Sequence, residues 1–133
     1  MRNAAALGVS LLLAGCVRPP PLSCPRPLGY ARTAYLFFGR STAQGRTVSQ
    51  AQWRQFVDTT LIPEFPKGFT VLAARGYWQG SERAGFEASK VVVIVLPGWA
   101  DDLARLQRIR STYKRLFRQQ SVLEWIDAGC AGF

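Results

Sequence analysis

The segment 86–96 constrains the fold of this chain more than any other stretch of the sequence. After Ser89 and Lys90 it is apolar at every position, so a strand formed here has two apolar faces. A sheet that is wet on one side alternates apolar with polar residues instead. Residues 33–38, with the sequence TAYLFF, are also apolar on both faces. We therefore expect helices to cover one sheet face, and a second copy, the N-terminal tether or a ligand to cover the other.

Six elements follow one another in the order β-α-β-β-α-β. The strands are predicted at residues 33–38, 69–79, 86–96 and 122–126, and the helices begin near Ser49 and near Asp101 and Asp102. This order is typical of a ferredoxin-like α+β sandwich, in which two helices cover one face of an antiparallel sheet with strand order 4-1-3-2. The second and third strands form a hairpin whose turn is predicted to contain Gly80 and Gly85.

The first helix has recognisable start and stop signals. Ser49 and Gln52 have the spacing of a capping box, while Pro63 and Pro66 are predicted to end the helix. Its apolar stripe consists of Trp53, Phe56, Val57, Thr60 and Leu61.

The second helix combines an apolar stripe with a dense basic surface. The stripe residues are Leu103, Leu106, Ile109, Tyr113, Leu116 and Phe117. The basic residues on the rest of its circumference are Arg105, Arg108, Arg110, Lys114, Arg115 and Arg118. Such a face is usually only solvated, and the functional alternative is that it contacts anionic head groups or an acidic partner.

The N-terminus resembles a bacterial lipoprotein signal peptide. An apolar segment at residues 4–14 is too short to span a bilayer, which needs about 20 residues, and the stretch LAGC that ends in Cys16 has the pattern of a lipobox. We expect residues 1–15 to be removed and Cys16 to carry the lipid that anchors the protein to the membrane. An ordinary secretory signal and a buried helix start are the alternatives. In lipoproteins that are retained in the inner membrane, aspartate follows the lipidated cysteine. Here Val17 follows Cys16, which favours the outer membrane, facing the periplasm.

The mature chain is predicted to consist of a tether and one domain. Residues 16–31 are rich in proline and form a semi-extended tether, and residues 32–133 form a single domain. Without Arg2, 16 Lys and Arg residues face 8 Asp and Glu residues. We expect this excess charge mainly to aid solubility near a negative surface, and the functional alternative is an anionic component of the cell envelope as a partner. Nucleic acid is not expected, because export separates the protein from it.

Histidine and cysteine content limits the chemistry. The sequence contains no histidine, which excludes a His-dependent triad, a His-ligated haem and the usual zinc sites. With Cys16 assigned to lipid, Cys24 and Cys130 remain. Strands one and four are predicted to be antiparallel neighbours, so the chain before strand one and the chain after strand four lie at the same end of the sheet. The two cysteines either form a disulfide, or Cys24 lies on a mobile tether and Cys130 is a small buried residue. No cofactor and no metal are expected.

The hairpin contains the best candidate site. If it is symmetric about its turn, Gly76 and Trp78 share a face with Glu87 and Ser89, and a small residue, a flat indole and two polar groups are what small-ligand pockets use. The alternative, which we favour, is a dimer contact in which Gly76 admits a side chain of the partner. No catalytic set is visible, because Ser89 has no base beside it in the sequence pattern.

Several short motifs together resemble one protein family. They are LFFG at 36–39, VS at 48–49 followed by Trp53 and Phe56, FPxGFTV at 65–71, GxW at 76–78 and ExSKV at 87–91. The combination is similar to a bacterial family of small exported proteins and lipoproteins known as domain of unknown function 3574. The resemblance covers about residues 32–133. It implies export and the fold, but no activity and no functional residues.

Two functional hypotheses follow. The first is a non-enzymatic lipoprotein of the cell envelope, whose domain binds a partner or forms a homodimer through the uncovered sheet face. The second is a cofactor-independent enzyme or small-ligand carrier with a pocket at Trp78, Glu87 and Ser89.

Overall fold

The computed structural model describes residues 23–42, 44–79, 84–96, 98 and 101–132. The strands are β1 (Gly29–Gly39), β2 (Thr70–Gln79), β3 (Ala84–Leu96) and β4 (Leu123–Ala131). The helices are α1 (Gln50–Phe56), a π-helical turn (Val57–Leu61), α2 (Ile62–Glu64) and α3 (Asp102–Phe117). The first three of these follow one another without a break, and we call them the first helical segment. Cys16 and the predicted signal peptide lie outside the described residues.

The four strands form one antiparallel sheet in the order β2-β3-β1-β4. This is the predicted order 4-1-3-2 read from the other edge, so the ferredoxin-like topology is confirmed. The long strand β3 pairs with β1 on one side and with β2 on the other, which places the most apolar strand in the interior of the sheet.

The helices cover one face of the sheet. In β1 and β3 the fully buried side chains are those of even-numbered residues, and these pack in one cluster with the helices. The aromatic members of this cluster are Phe38, Trp53, Phe56, Phe65 and Tyr113. The Phe38 ring lies 4.7 Å from that of Tyr113 and 5.6 Å from that of Phe56, both edge to face, so strand β1 carries the centre of the core.

Strand β1 begins earlier than the sequence predicts. Gly29 pairs with Ala131 and Tyr30 pairs with Cys130, so residues 29–31, assigned to the tether, belong to the sheet. The prediction was wrong there because the glycine and proline content of the segment hides a strand whose partners come from the far end of the chain. Gly85, which the sequence pattern predicts in the hairpin turn, also lies in a strand, because it pairs with Trp78 in the ladder.

The first helical segment has the predicted start but not the predicted end. The Ser49 hydroxyl accepts from the Gln52 N–H at 3.1 Å, and the Gln52 side chain accepts from the Ser49 N–H at 2.8 Å, which completes the capping box. Pro63 does not end the helix, because the hydrogen bonding shifts to a π turn before it and Ile62 N–H donates to Val57 O. Pro63 therefore lies in the first turn of α2, where a missing N–H is tolerated.

Helix α3 buries a narrower stripe than predicted. Leu106, Ile109 and Tyr113 are fully buried, but Leu103 is 57% exposed and Leu116 54% exposed. Asp102 occupies the buried position in the first turn and is 4% exposed. Each residue turns the helix by about 100°, so Asp102 lies closer than Leu103 to the buried Leu106 around the helix axis. None of the described helices is long and apolar enough to cross a membrane.

Candidate functional site on the open sheet face

The face of the sheet opposite the helices carries a row of large apolar side chains, which we call the open sheet face. The strand registers place on it Tyr35, Phe37, Leu72, Trp78, Val91, Val93, Leu123 and Trp125. Trp125 is 61% exposed, Leu72 50% and Leu123 46%, so no other part of the described chain covers the two outer strands. The expected two-sided apolarity of the sheet is present, and the exposed part of the open sheet face lies mainly on the two outer strands.

Charge is distributed unequally between the two faces. Among the described strand residues, the only charged side chains on the open sheet face are those of Glu87 and Asp127. The basic strand residues Arg32, Arg75 and Lys90 lie on the helix side. A chain with a net charge of +9 therefore presents an apolar surface on which the only charged groups of the described strands are two carboxylates, one near each end.

Trp78, Gly76 and Ser89 are brought together at the hairpin end of this face. Gly76 pairs with Glu87, and the neighbouring pair joins Ala74 and Ser89. A Cβ atom on Gly76 would lie 3.2 Å from Trp78 Nε1 and 3.9 Å from Ser89 Oγ. The N–H edge of the indole therefore lies beside the bare backbone of Gly76, and the hydroxyl of Ser89, which is 8% exposed, lies near the same position.

Glu87 is held by the end of strand β1. Its Oε2 accepts a hydrogen bond from the Ser41 backbone N–H at 2.8 Å. Its Oε1 occupies the space beside Gly39, where an added Cβ would stand 2.5 Å away. The glycine therefore makes room for the carboxylate, and the backbone amide fixes its direction.

The sequence pattern predicts Gly76, Trp78, Glu87 and Ser89 on one face, and the structure does bring them together. It does not predict the contacts of Ser41 and Gly39 with Glu87, because these residues are 46 and 48 positions away in the chain. In the sequence, the one sign of this contact is Gly39, the glycine that ends the LFFG motif. The cluster offers an indole N–H, a hydroxyl and one carboxylate oxygen, which suits hydrogen bonding to a small polar group.

Behind the cluster, Tyr113 fixes the end of β1 from the helix side. Its hydroxyl donates to Gly39 O at 2.8 Å, and Tyr113 is fully buried. Burial raises the pKa of the Tyr113 hydroxyl, because the phenolate would lose its hydration. The neutral hydroxyl therefore supports the strand end on which Glu87 depends.

The six basic residues of α3 do not form one uniform face. Arg108 makes a bidentate ion pair with Glu64, with both distances 2.8 Å, and Arg105 donates to Glu64 O at 2.9 Å. The hydrogen bond from Arg108 lowers the pKa of Glu64. Arg110 bonds Glu124 on β4 at 3.0 Å. Lys114, Arg115 and Arg118, near the end of the helix, are exposed.

A groove of about 510 Å³ lies between the first helical segment and α3. Its lining includes Thr59, Thr60, Glu64, Arg108, Ser111 and Arg115. The sequence pattern does not predict this groove, because its two walls come from helices separated by the hairpin. No group of three or more Cys, Asp or Glu residues in the described part of the chain could hold a metal ion.

Cys24 and Cys130 form a disulfide with their Cα atoms 5.5 Å apart. This is the pair that the predicted topology brings to one end of the sheet. The bond lies beside the Tyr30 and Cys130 pair of the β1 and β4 ladder, so it ties the segment before β1 to the last strand.

Comparisons with known proteins identify the domain but not an activity. A family model described as a protein of unknown function, DUF3574, matches residues 33–133. No curated protein matches the chain.

Solved structures share the fold at low sequence identity. A phage SAM lyase in the apo state is 21% identical, with 83% of this chain and 95% of that chain covered and a TM-score of 0.59. A phage SAM lyase in complex with S-methyl-5'-thioadenosine is 19% identical, with coverages of 76% and 88% and a TM-score of 0.52. CPII, a PII-like protein from Thiomonas intermedia K12 bound to ADP, AMP and bicarbonate, is 15% identical, with coverages of 80% and 97% and a TM-score of 0.48. The likeness to the two lyase structures shows the fold alone.

Proposed function

The chain belongs to the DUF3574 family of proteins of unknown function, and we propose that this member is a lipid-anchored binding module of the cell envelope that pairs with a second copy through its open sheet face. The observation that carries the proposal is the exposed apolar row across all four strands, with Trp125 61% exposed at one edge and Leu72 50% exposed at the other.

The size of the open sheet face supports a protein contact. Four strands about 4.8 Å apart and about eight residues long give a face of roughly 500 Å². An apolar patch of this size is at the upper end of what monomers expose, about 300–600 Å². It approaches the roughly 600 Å² per partner of the smaller specific interfaces.

The charge pattern supports a second copy as the occupant. Glu87 and Asp127 lie near opposite ends of the face, so a two-fold contact centred on Tyr35 and Val93 leaves all four carboxylates toward the rim, where water still solvates them. In a two-fold dimer, the apolar row of one copy also packs against the same apolar row of the other copy.

The anchor part of the proposal rests on the LAGC stretch. Cys16 is followed by a proline-rich segment and then by the disulfide at Cys24, which requires an oxidising compartment to form. Replacement of Cys16 by alanine should abolish lipid labelling and release the protein from membranes. Labelling that persists in this variant would refute the anchor.

The dimer is tested on residues 17–133, exported into an oxidising compartment so that the disulfide forms. Sizing with light scattering should give twice the chain mass, and Trp125→Glu should give the monomer. Tyr77→Glu is the matched control, because Tyr77 is 60% exposed on the helix side of the hairpin. A wild-type protein that is monomeric at about 100 μM, about a hundred times above a micromolar dissociation constant, contradicts the proposal.

A second candidate function is supported by the geometry at the hairpin end. The hydrogen bond from Ser41 to Glu87 and the indole lying over Gly76 hold polar atoms in place before any ligand binds, which favours binding of a small polar molecule. Thermal-shift screening of a metabolite library against wild type and Glu87→Gln distinguishes the two functions. A ligand that stabilises only the wild type supports the carrier, and a dimer with no such ligand supports the interaction module.

A further inference from the structure

The end of the domain that carries the disulfide has its own exposed apolar surface, separate from the open sheet face. Tyr30 is 56% exposed, Leu28 38% and Leu103 57%. The registers place Tyr30 and Ile126 on the helix side of the sheet, and Ile126 is 36% exposed. We call these four residues the anchor-end patch.

The direction of α3 places Leu103 over this end. Arg110 bonds Glu124 near the start of β4, and Tyr113 bonds Gly39 at the end of β1, so α3 begins at the end where β1 starts and β4 finishes. Leu103 precedes Arg110 by seven residues, about 10 Å along the helix axis, which is about three residues along a strand. It therefore lies level with Ile126 and its neighbours on β4.

Basic residues accompany the patch. Arg32 is exposed and follows Tyr30 by two residues on the same face of β1, and Arg26 is exposed just before the strand. Asp101, the exposed acidic residue beside Leu103, is 3.6 Å from Arg105 in an ion pair. Exposed leucine and tyrosine side chains beside arginine are the composition of surfaces that lie in the head-group region of a bilayer.

The disulfide keeps this end close to the membrane. The tether predicted from sequence runs sixteen residues from Cys16 to Arg32, but the bond from Cys24 to Cys130 fixes the chain after eight. Eight proline-rich residues reach about 25 Å at about 3.1 Å each. Such a tether holds the patch at a millimolar effective concentration next to the bilayer, so even a weak contact is populated.

From this placement we propose that the anchor-end patch is a membrane-contacting surface, with Leu103 and Tyr30 in the interface of an anionic bilayer. This orientation rests on the lipid anchor of the proposed function. It directs the C-terminal end of α3 and the end of β2 away from the membrane, and it leaves the open sheet face free for a partner.

The test uses the lipidated full chain in phosphatidylethanolamine and phosphatidylglycerol vesicles whose acyl chains are brominated to quench indole fluorescence. The added indole in Leu103→Trp should be quenched about threefold more than the one in Leu116→Trp, because contact with the bilayer is confined to the buried side of an interfacial protein. Leu116 is the matched control, since it lies on the same helix at the other end and is 54% exposed. Equal quenching at the two positions, or stronger quenching at position 116, overturns the proposal.

A second measurement separates this surface from the anchor itself. The unlipidated Cys16→Ala chain should bind the same vesicles weakly, about tenfold less after Leu103→Glu and unchanged after Leu116→Glu, since affinity follows the apolar area buried. If Cys16 carries no lipid label, only the anchor part of the proposed function fails, because the vesicle binding of the unlipidated chain does not depend on the lipid. Binding that is insensitive to Leu103→Glu, or a Leu103→Glu change that splits a dimer, contradicts a lipid contact.

Discussion

Cys24 is bonded to Cys130, 106 residues later in the chain, and the bond lies beside the first pairs of the β1 and β4 ladder. It joins the segment that leads into the first strand to the end of the last one. Because Cys24 precedes the first strand and Cys130 lies in the last one, the bond closes a loop that contains almost the whole domain.

The disulfide should contribute strongly to stability. Replacement of both Cys24 and Cys130 by serine should lower the free energy of unfolding by about 2–5 kcal/mol, because a long loop loses its closure constraint in the unfolded state. Urea unfolding under oxidising conditions measures the change. Addition of dithiothreitol should destabilise the wild type and leave the double variant unaffected; equal midpoints without reductant would show that the bond contributes little.

Gly76→Ala should displace the indole of Trp78. The added Cβ would lie 3.2 Å from Trp78 Nε1, closer than ordinary contact, so the ring moves off the strand and becomes more accessible to acrylamide. Gly85→Ala is the control, because nothing lies within 4 Å of a Cβ at that position. Equal acrylamide quenching in the two variants would mean that Trp78 does not rest on Gly76.

Tyr113→Phe should destabilise the domain by about 1–3 kcal/mol, because it leaves the buried Gly39 carbonyl without its hydroxyl donor. Chemical denaturation measures the loss, with Tyr77→Phe as an exposed control. Burial raises the pKa of Tyr113, so its contribution is fully present below the unfolded value of about 10 and is lost as the pH rises above it. Wild-type stability should fall above pH 10 more steeply than that of Tyr113→Phe, and parallel curves would contradict this.

Glu64→Gln should change how stability depends on acid. Hydrogen bonding from Arg108 lowers the pKa of Glu64 in the folded state, so its stabilising contribution is present above the unfolded value of about 4.3 and is lost as the pH falls through the lower folded value. The variant should be less stable than wild type at pH 7, and the difference should shrink below about pH 4. Asp58→Asn, on the same helical segment, is the control. A difference that persists at pH 2 would point to packing instead of charge.

Much of the candidate site followed from sequence because strand geometry is periodic. Once the hairpin was assumed symmetric, the period of two residues placed Gly76, Trp78, Glu87 and Ser89 on one face, and the ladder has that register. The helix predictions were good where local signals decide, as at the Ser49 capping box. They failed at Pro63, where a shift of hydrogen bonding lets the helix continue. They also failed at Leu103, because its exposure depends on how the helix is rotated against the sheet.

The order of elements, the two apolar faces of β1 and β3, the family and the pair of cysteines left to meet can all be inferred from the amino-acid sequence. These depend on residue type and on spacing between near neighbours. Three features are visible only in the folded domain: Ser41 and Gly39 hold Glu87, Arg108 pairs with Glu64, and Leu28, Tyr30, Leu103 and Ile126 share one end. Each of these joins residues far apart in the chain, and their meeting depends on how the helices pack across the sheet, which no local pattern encodes.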